Sequence, residues 1–116
     1  KLGTAYKKHL SMKPSEYFRR NIKVGSSAMS RREAELRHEI GLGTIMWGSD
    51  YPHPEGTWPE TQKMMVEVLG GLPEHEIEAI LGGNAAAFYG FDIEALTPLA
   101  DRIGPERALF RTEGAA

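Results

Sequence analysis

The chain has 116 residues, 41% hydrophobic and 26% charged, with a formal net charge of −2 and no cysteine. Such a composition belongs to an ordinary globular domain and excludes a wholly disordered chain. The near balance of charge gives no electrostatic reason to expect nucleic acid or an anionic membrane as a partner, and the lack of cysteine removes disulfide frameworks, thiolate nucleophiles and cysteine-based zinc sites together.

In chain order, Pro14 opens a short helical turn or loop that runs into Asn21-Ile22-Lys23-Val24-Gly25, a strand candidate with alternating apolar residues. Ser30 and Glu33 have capping-box spacing, and Leu36 and Ile40 share one face of the helix that Gly41 closes. Residues 43–50 read as a second strand. Residues 21–50 therefore predict a βαβ unit with a parallel strand pair and a right-handed crossover.

Met64, Met65, Val68, Leu69 and Leu72 repeat at helical spacing after Pro59. Pro73 restarts a helix with Glu74, Glu76 and Glu78 outward or near its amino end, Ile77, Ile80 and Leu81 inward, and Gly82-Gly83 as its stop. Asn84 is placed to N-cap the following short helix, which Gly90 ends. Asp92 caps a last turn whose apolar face, Ile93, Leu96, Leu99 and Ile103, is interrupted by Pro98. From Gly104 the sequence is small and polar, so residues 105–116 read as a surface tail behind a unit spanning 1–104. Two parallel strands under four or five helices leave open sheet edges, which predicts strands supplied by a longer chain or by self-association into a homo-oligomer. A first residue of Lys1 inside patterned sequence also points to a segment of something longer. No apolar run reaches the roughly 18 residues of a membrane span and no apolar signal segment opens the chain, so a cytoplasmic location is expected.

The chemistry-bearing stretch is Ile45-Met46-Trp47-Gly48-Ser49-Asp50-Tyr51-Pro52-His53-Pro54. An apolar run delivers Asp50 to a strand's carboxyl end, where ligand sites of parallel α/β sheets are built, and the prolines end the ladder. A carboxylate held there can bind a divalent metal, activate its water or relay a proton; it can equally be a turn or capping aspartate. His53 can be a ligand, a substrate contact or a loop histidine. Trp47, Tyr51 and Trp58 can wall a pocket for a planar substrate or pack at its rim. A catalytic metal site needs about three converging protein ligands. His9, His38 and His75 have neither His-x-His nor His-Glu-x-x-His spacing, although His9 can reach the same mouth. The glycine pairs lack the order of phosphate-binding loops, and no serine sits in a Gly-x-Ser-x-Gly elbow.

Three segments, Lys13-Pro14-Ser15-Glu16-Tyr17-Phe18-Arg19-Arg20-Asn21, Trp47-Gly48-Ser49-Asp50-Tyr51-Pro52-His53-Pro54 and Ile80-Leu81-Gly82-Gly83-Asn84-Ala85-Ala86-Ala87-Phe88-Tyr89-Gly90-Phe91, together resemble the carboxyl-terminal part of amidohydrolase-related metal-dependent hydrolases, including the aminocarboxymuconate-semialdehyde decarboxylase-like enzymes. The resemblance covers about residues 7–104. It implies an α/β fold, the last two parallel strands and following helices of a (β/α)₈ barrel, with the family's metal-associated aspartate at Asp50. It further implies a divalent ion, Zn²⁺ above all, that activates water for C–N or C–O hydrolysis or orients a small carboxylated substrate for non-oxidative decarboxylation. His53, Tyr51 and Trp58 would then contact substrate, and Asn84 would be a structural cap beneath the site. A complete barrel needs about 250 residues. The family's His-x-His pair and its middle-strand histidines have no counterpart here, so the chain alone is expected to retain no metal and no activity. The alternative is a non-catalytic, self-associating module derived from such a barrel. A third reading assembles a site across a dimer from Asp50, His53 and His9.

Overall fold

In the computed structural model, which describes residues 8–111, the first full helix begins where proline's fixed φ and missing N–H suit a helix start. Helix α1 spans Pro14–Asn21, and the Glu16 carboxylate accepts the Lys13 backbone N–H at 2.6 Å. The strand predicted from Asn21 starts later: β1 is Val24–Ser27. Asn21 stays in the helix, because the Ile22 N–H still bonds to Phe18 O.

The Ser30 box forms as its spacing predicts. Ser30 Oγ accepts the Glu33 N–H at 3.2 Å and Glu33 Oε2 accepts the Ser30 N–H at 2.7 Å. The Ser30 N–H, together with the Ser30 hydroxyl that donates to the same Oε2 at 2.8 Å, holds the Glu33 carboxyl below the usual glutamate range. The single helix expected after it divides at Leu36 (φ −83°, ψ 4°) into α2, Arg31–Glu35, and α3, Arg37–Ile40. A 3₁₀ turn, Leu42–Thr44, takes the first residues of the second predicted strand, so β2 is only Ile45–Gly48. The strands pair in parallel, with Val24 beside Ile45 and Ser27 beside Gly48. Among the described residues they form a two-stranded sheet, so the predicted strand–helix–strand unit is present.

The core lies on the helical side of β2, where Ile45 meets Ala34, Val68, Leu69, Ile77 and Ile80. Helix α4, Thr61–Leu69, supplies Val68 and Leu69 to it. Arg31 Nη1 donates to Val68 O (3.1 Å) and Gly70 O (2.7 Å), satisfying carbonyls at the end of α4 and tying it to α2.

The carboxyl-terminal third departs from expectation in three places. Gly82-Gly83 does not stop the helix that begins with α5, Glu74–Glu78; a π-helical turn, Ala79–Gly83, carries the backbone into α6, Asn84–Tyr89. Glycine permits a break but does not impose one, and Gly83 keeps helical angles of φ −58° and ψ −43°. Asn84 is helical as well, so it does not N-cap α6. Glu76, expected outward or near the amino end, is buried at 5% exposure because Arg37 and His38 of α3 meet its carboxylate. Finally, residues 105–111 lie on the surface but do not hang free of it. A 3₁₀ turn, Arg107–Phe110, buries Phe110 in the core, the Gly71 N–H bonds to Phe110 O at 2.8 Å, and Arg107 pairs with Glu74 and Glu78. The Arg107 hydrogen bond holds the Glu74 carboxyl below its usual range. The remainder of the expected tail, residues 112–116, lies outside the described residues.

Gly90 ends α6 as predicted, in the left-handed conformation at φ 70° that favours glycine. Asp92 Oδ1 accepts the Ala95 N–H at 3.1 Å and opens α7, Ile93–Ile103, which runs through Pro98. No helix among the described residues is long and apolar enough to cross a membrane.

Candidate functional site

β2 stops at Gly48, and the chain turns sharply at Asp50, whose φ of 57° is rare for a residue with a side chain. Aspartate tolerates this region better than most residues, and strained backbone of this kind concentrates at functional sites. The turn is closed by a His53 N–H bond to Asp50 O (2.8 Å), a Gly56 N–H bond to His53 O (2.9 Å) and a Thr57 N–H bond to Ser49 O (2.9 Å).

Gly56 is what allows the loop to fold so tightly. A Cβ at this position would lie 2.8 Å from Ser49 O and 2.9 Å from both Asp50 O and His53 O. Three carbonyls thus converge on a residue with no side chain. Thr57 is buried behind it, with its hydroxyl 3.0 Å from the Thr61 hydroxyl at the start of α4. Gly56 and Thr57 were not expected as contributors, because a Gly-Thr pair in a proline-rich loop carries no periodic signal. The carbonyl convergence is visible only in three dimensions.

Of the predicted site residues, the structure brings Asp50 and His53 together. His53 Nδ1 lies 3.7 Å from Asp50 Oδ2, beyond hydrogen-bond range, and both side chains are about half exposed. The Glu55 N–H points to His53 Nδ1 at 3.3 Å, so Nδ1 acts as acceptor and Nε2 is the ring nitrogen left for an outside contact. Tyr51 and Trp58 meet edge to face at a centroid distance of 6.0 Å, at 66% and 68% exposure. They form one aromatic surface beside Asp50. Trp47 does not join them: it packs against the helical core, where its indole Nε1 is buried without a hydrogen-bond partner.

The cap under this strand is Asn84. Its side-chain amide donates to Leu42 O and Ile45 O, each at 2.8 Å, fixing the 3₁₀ turn and the first residue of β2 to the π turn. Asp50 is therefore carried on a strand anchored at its opposite end.

The donors present do not fit a complete metal centre. Among the described residues no group of three His, Cys, Asp or Glu side chains is placed to hold an ion. His9 is exposed, and His38 is committed to Glu76, with Nε2 2.9 Å from Oε1. Asp50 and His53 amount to two donors where a catalytic zinc takes about three from protein.

Ligand sites of parallel α/β sheets lie outside the carboxyl ends of their strands, and Asp50, Tyr51 and Trp58 follow the carboxyl end of β2. The family model described as Amidohydrolase matches residues 6–91, well over half of the chain and inclusive of every residue of this loop. The chain belongs to the amidohydrolase family. No curated protein matches it.

Proposed function

We propose that this chain carries the last strand and metal-associated carboxylate of an amidohydrolase-type (β/α)₈ barrel, with β1 and β2 as the seventh and eighth strands. The observation that carries this reading is Asp50, exposed on a left-handed turn at the end of β2 within the family-matched segment. In it, Asp50 supplies one carboxylate to a divalent ion or its water. His53 Nε2 and the Tyr51–Trp58 surface bound a small carboxylated substrate, and Asn84 holds the strand in position. The reaction class is hydrolysis of a C–N or C–O bond, or non-oxidative decarboxylation as in the aminocarboxymuconate-semialdehyde decarboxylase-like branch. The other ligands come from outside this chain, so no catalytic step belongs to its residues alone.

Metal analysis tests this reading. After exposure to zinc and exhaustive dialysis, the 116-residue chain should hold far less than one zinc per molecule. Stoichiometric zinc that survives dialysis and disappears in Asp50→Asn would show that the chain builds a working centre unaided. A second reading, a non-catalytic self-associating module, draws on the outer edges of β1 and β2, which no strand among the described residues covers.

A further inference from the structure

Between Asp50 and Glu60 the chain lies at or near the surface except at Thr57, which is 2% exposed. A hydroxyl withdrawn from water is tolerated only when it is hydrogen-bonded. That of Thr57 has two neighbours, Ser49 O at 3.3 Å and the Thr61 hydroxyl at 3.0 Å. A carbonyl only accepts, and each hydroxyl carries one proton. Both bonds form only if Thr61 donates to Thr57 Oγ1 and Thr57 donates to Ser49 O. The Thr57 N–H reaches the same carbonyl at 2.9 Å, so a single residue occupies both lone pairs of Ser49 O.

This carbonyl lies in the peptide plane that ends at the Asp50 nitrogen, and the orientation of that plane sets Asp50 φ. The next plane, which sets ψ, is held by the His53 N–H bond to Asp50 O at 2.8 Å. The left-handed φ of 57° brings Cβ close to the backbone and is disfavoured for any residue with a side chain. It lasts where the surroundings hold both planes. Thr57 supplies both bonds to the first of them.

We infer that Thr57 is the positioning residue of Asp50: its hydroxyl, oriented by Thr61, locks the Ser49–Asp50 peptide and with it the direction in which the Asp50 carboxylate leaves the backbone. The functional meaning of this lock rests on the reading of Asp50 as the metal-associated carboxylate; the backbone effect does not. Thr61 is a firm anchor because it begins α4, whose far end places Val68 and Leu69 in the core and is tied to α2 by Arg31. The rigidity of the core thus reaches the carboxylate through one pair of hydroxyls, while Tyr51, His53 and Trp58 stay at the surface.

The test compares Thr57→Val, which keeps the shape and removes the hydroxyl, with Thr57→Ser, which keeps the hydroxyl and removes a methyl group. In the unmodified chain and in Thr57→Ser, Asp50 should show the strong intraresidue NOE between its amide and Hα protons that marks a positive φ. In Thr57→Val that signal should be lost, with helix content by circular dichroism retained. Thr61→Val, at the less buried end of the pair, should cause the same change in smaller degree, and it carries the comparison should Thr57→Val fail to fold. Mn²⁺ added to Thr57→Val should bind about tenfold more weakly than to the unmodified chain, the lower end of the loss when a group supporting a metal ligand is removed, and Thr57→Ser should restore the affinity. An Asp50 NOE unchanged in both valine variants, or a Thr57→Ser chain that behaves as Thr57→Val does, would overturn the inference. An unmodified chain in which Mn²⁺ binding does not depend on Asp50 would instead remove the metal reading, and the NOE comparison would still decide the role of Thr57.

Discussion

Replacing Glu76 with alanine should destabilise the fold by about 3–5 kcal/mol, the range for removing one partner of a buried ion pair. The Glu76 carboxylate lies 2.6 Å from Arg37 Nε and 2.5 Å from Arg37 Nη2, and its other oxygen lies 2.9 Å from His38 Nε2. The Glu76 and Arg37 side chains are 7% and 12% exposed, so the variant strands a guanidinium with little water to replace its partner. Only the Arg37 Nη1 bond to Ala34 O would remain. Against a typical total stability of about 5–15 kcal/mol, this is a large fraction. The pair ties α3 to α5, and α3 leads through the Leu42–Thr44 turn into β2, so its loss should also loosen the strand that carries Asp50. Urea unfolding of Glu76→Ala beside Glu74→Ala measures the difference. Glu74 belongs to an exposed pair with Arg107, which solvent screens, so its removal should shift the midpoint far less. Equal midpoints for the two variants would contradict the assigned role.

Gly56→Ala should be the most damaging single methyl in the candidate site. The added carbon meets three backbone carbonyl oxygens at 2.8 to 2.9 Å, and backbone atoms cannot rotate aside as a flexible side chain can. The loop must open, at about 1–3 kcal/mol by the usual scale of overpacking. The bonds at stake are those from the His53, Gly56 and Thr57 N–H groups that close the turn. Amide chemical shifts of residues 49–57 should move together, with those of β2 less affected. Gly25→Ala is the matching control, because a Cβ there meets nothing within 4 Å. A Gly56→Ala chain with wild-type stability and unmoved Asp50 and His53 signals would refute this account of the loop.

What the sequence revealed and what it concealed divide along physical lines. Local signals were legible: the Ser30–Glu33 box, the Asp92 cap and Gly90 at the end of α6 each depend on a few neighbouring residues. The parallel strand pair followed from apolar runs on either side of a capped helix. Strand limits were less legible, because β1 and β2 extend only as far as each pairs with the other, four residues apiece. Gly82-Gly83 misled because glycine's freedom includes the helical region, and contacts made through Asn84 settle the matter from 39 to 42 residues away. Glu76 was hidden for a similar reason: an acid in a helix reads as solvated until a distant arginine is known to cover it. In the site, Asp50 was visible as the end of an apolar run, whereas the bare centre of its loop at Gly56 was not. Trp47 shared a motif with Asp50 without sharing its surroundings, since it turns into the helical core.

The most direct test of the claim at the centre of this account, that Asp50 is the metal-associated carboxylate and lacks its companions here, is a Mn²⁺ titration followed by amide NMR. Mn²⁺ should bind weakly, with a Kd on the order of 1 mM as for a site short of ligands, and cause paramagnetic broadening centred on residues 49–57 that Asp50→Asn removes. Broadening centred elsewhere, or left unchanged by Asp50→Asn, would contradict it.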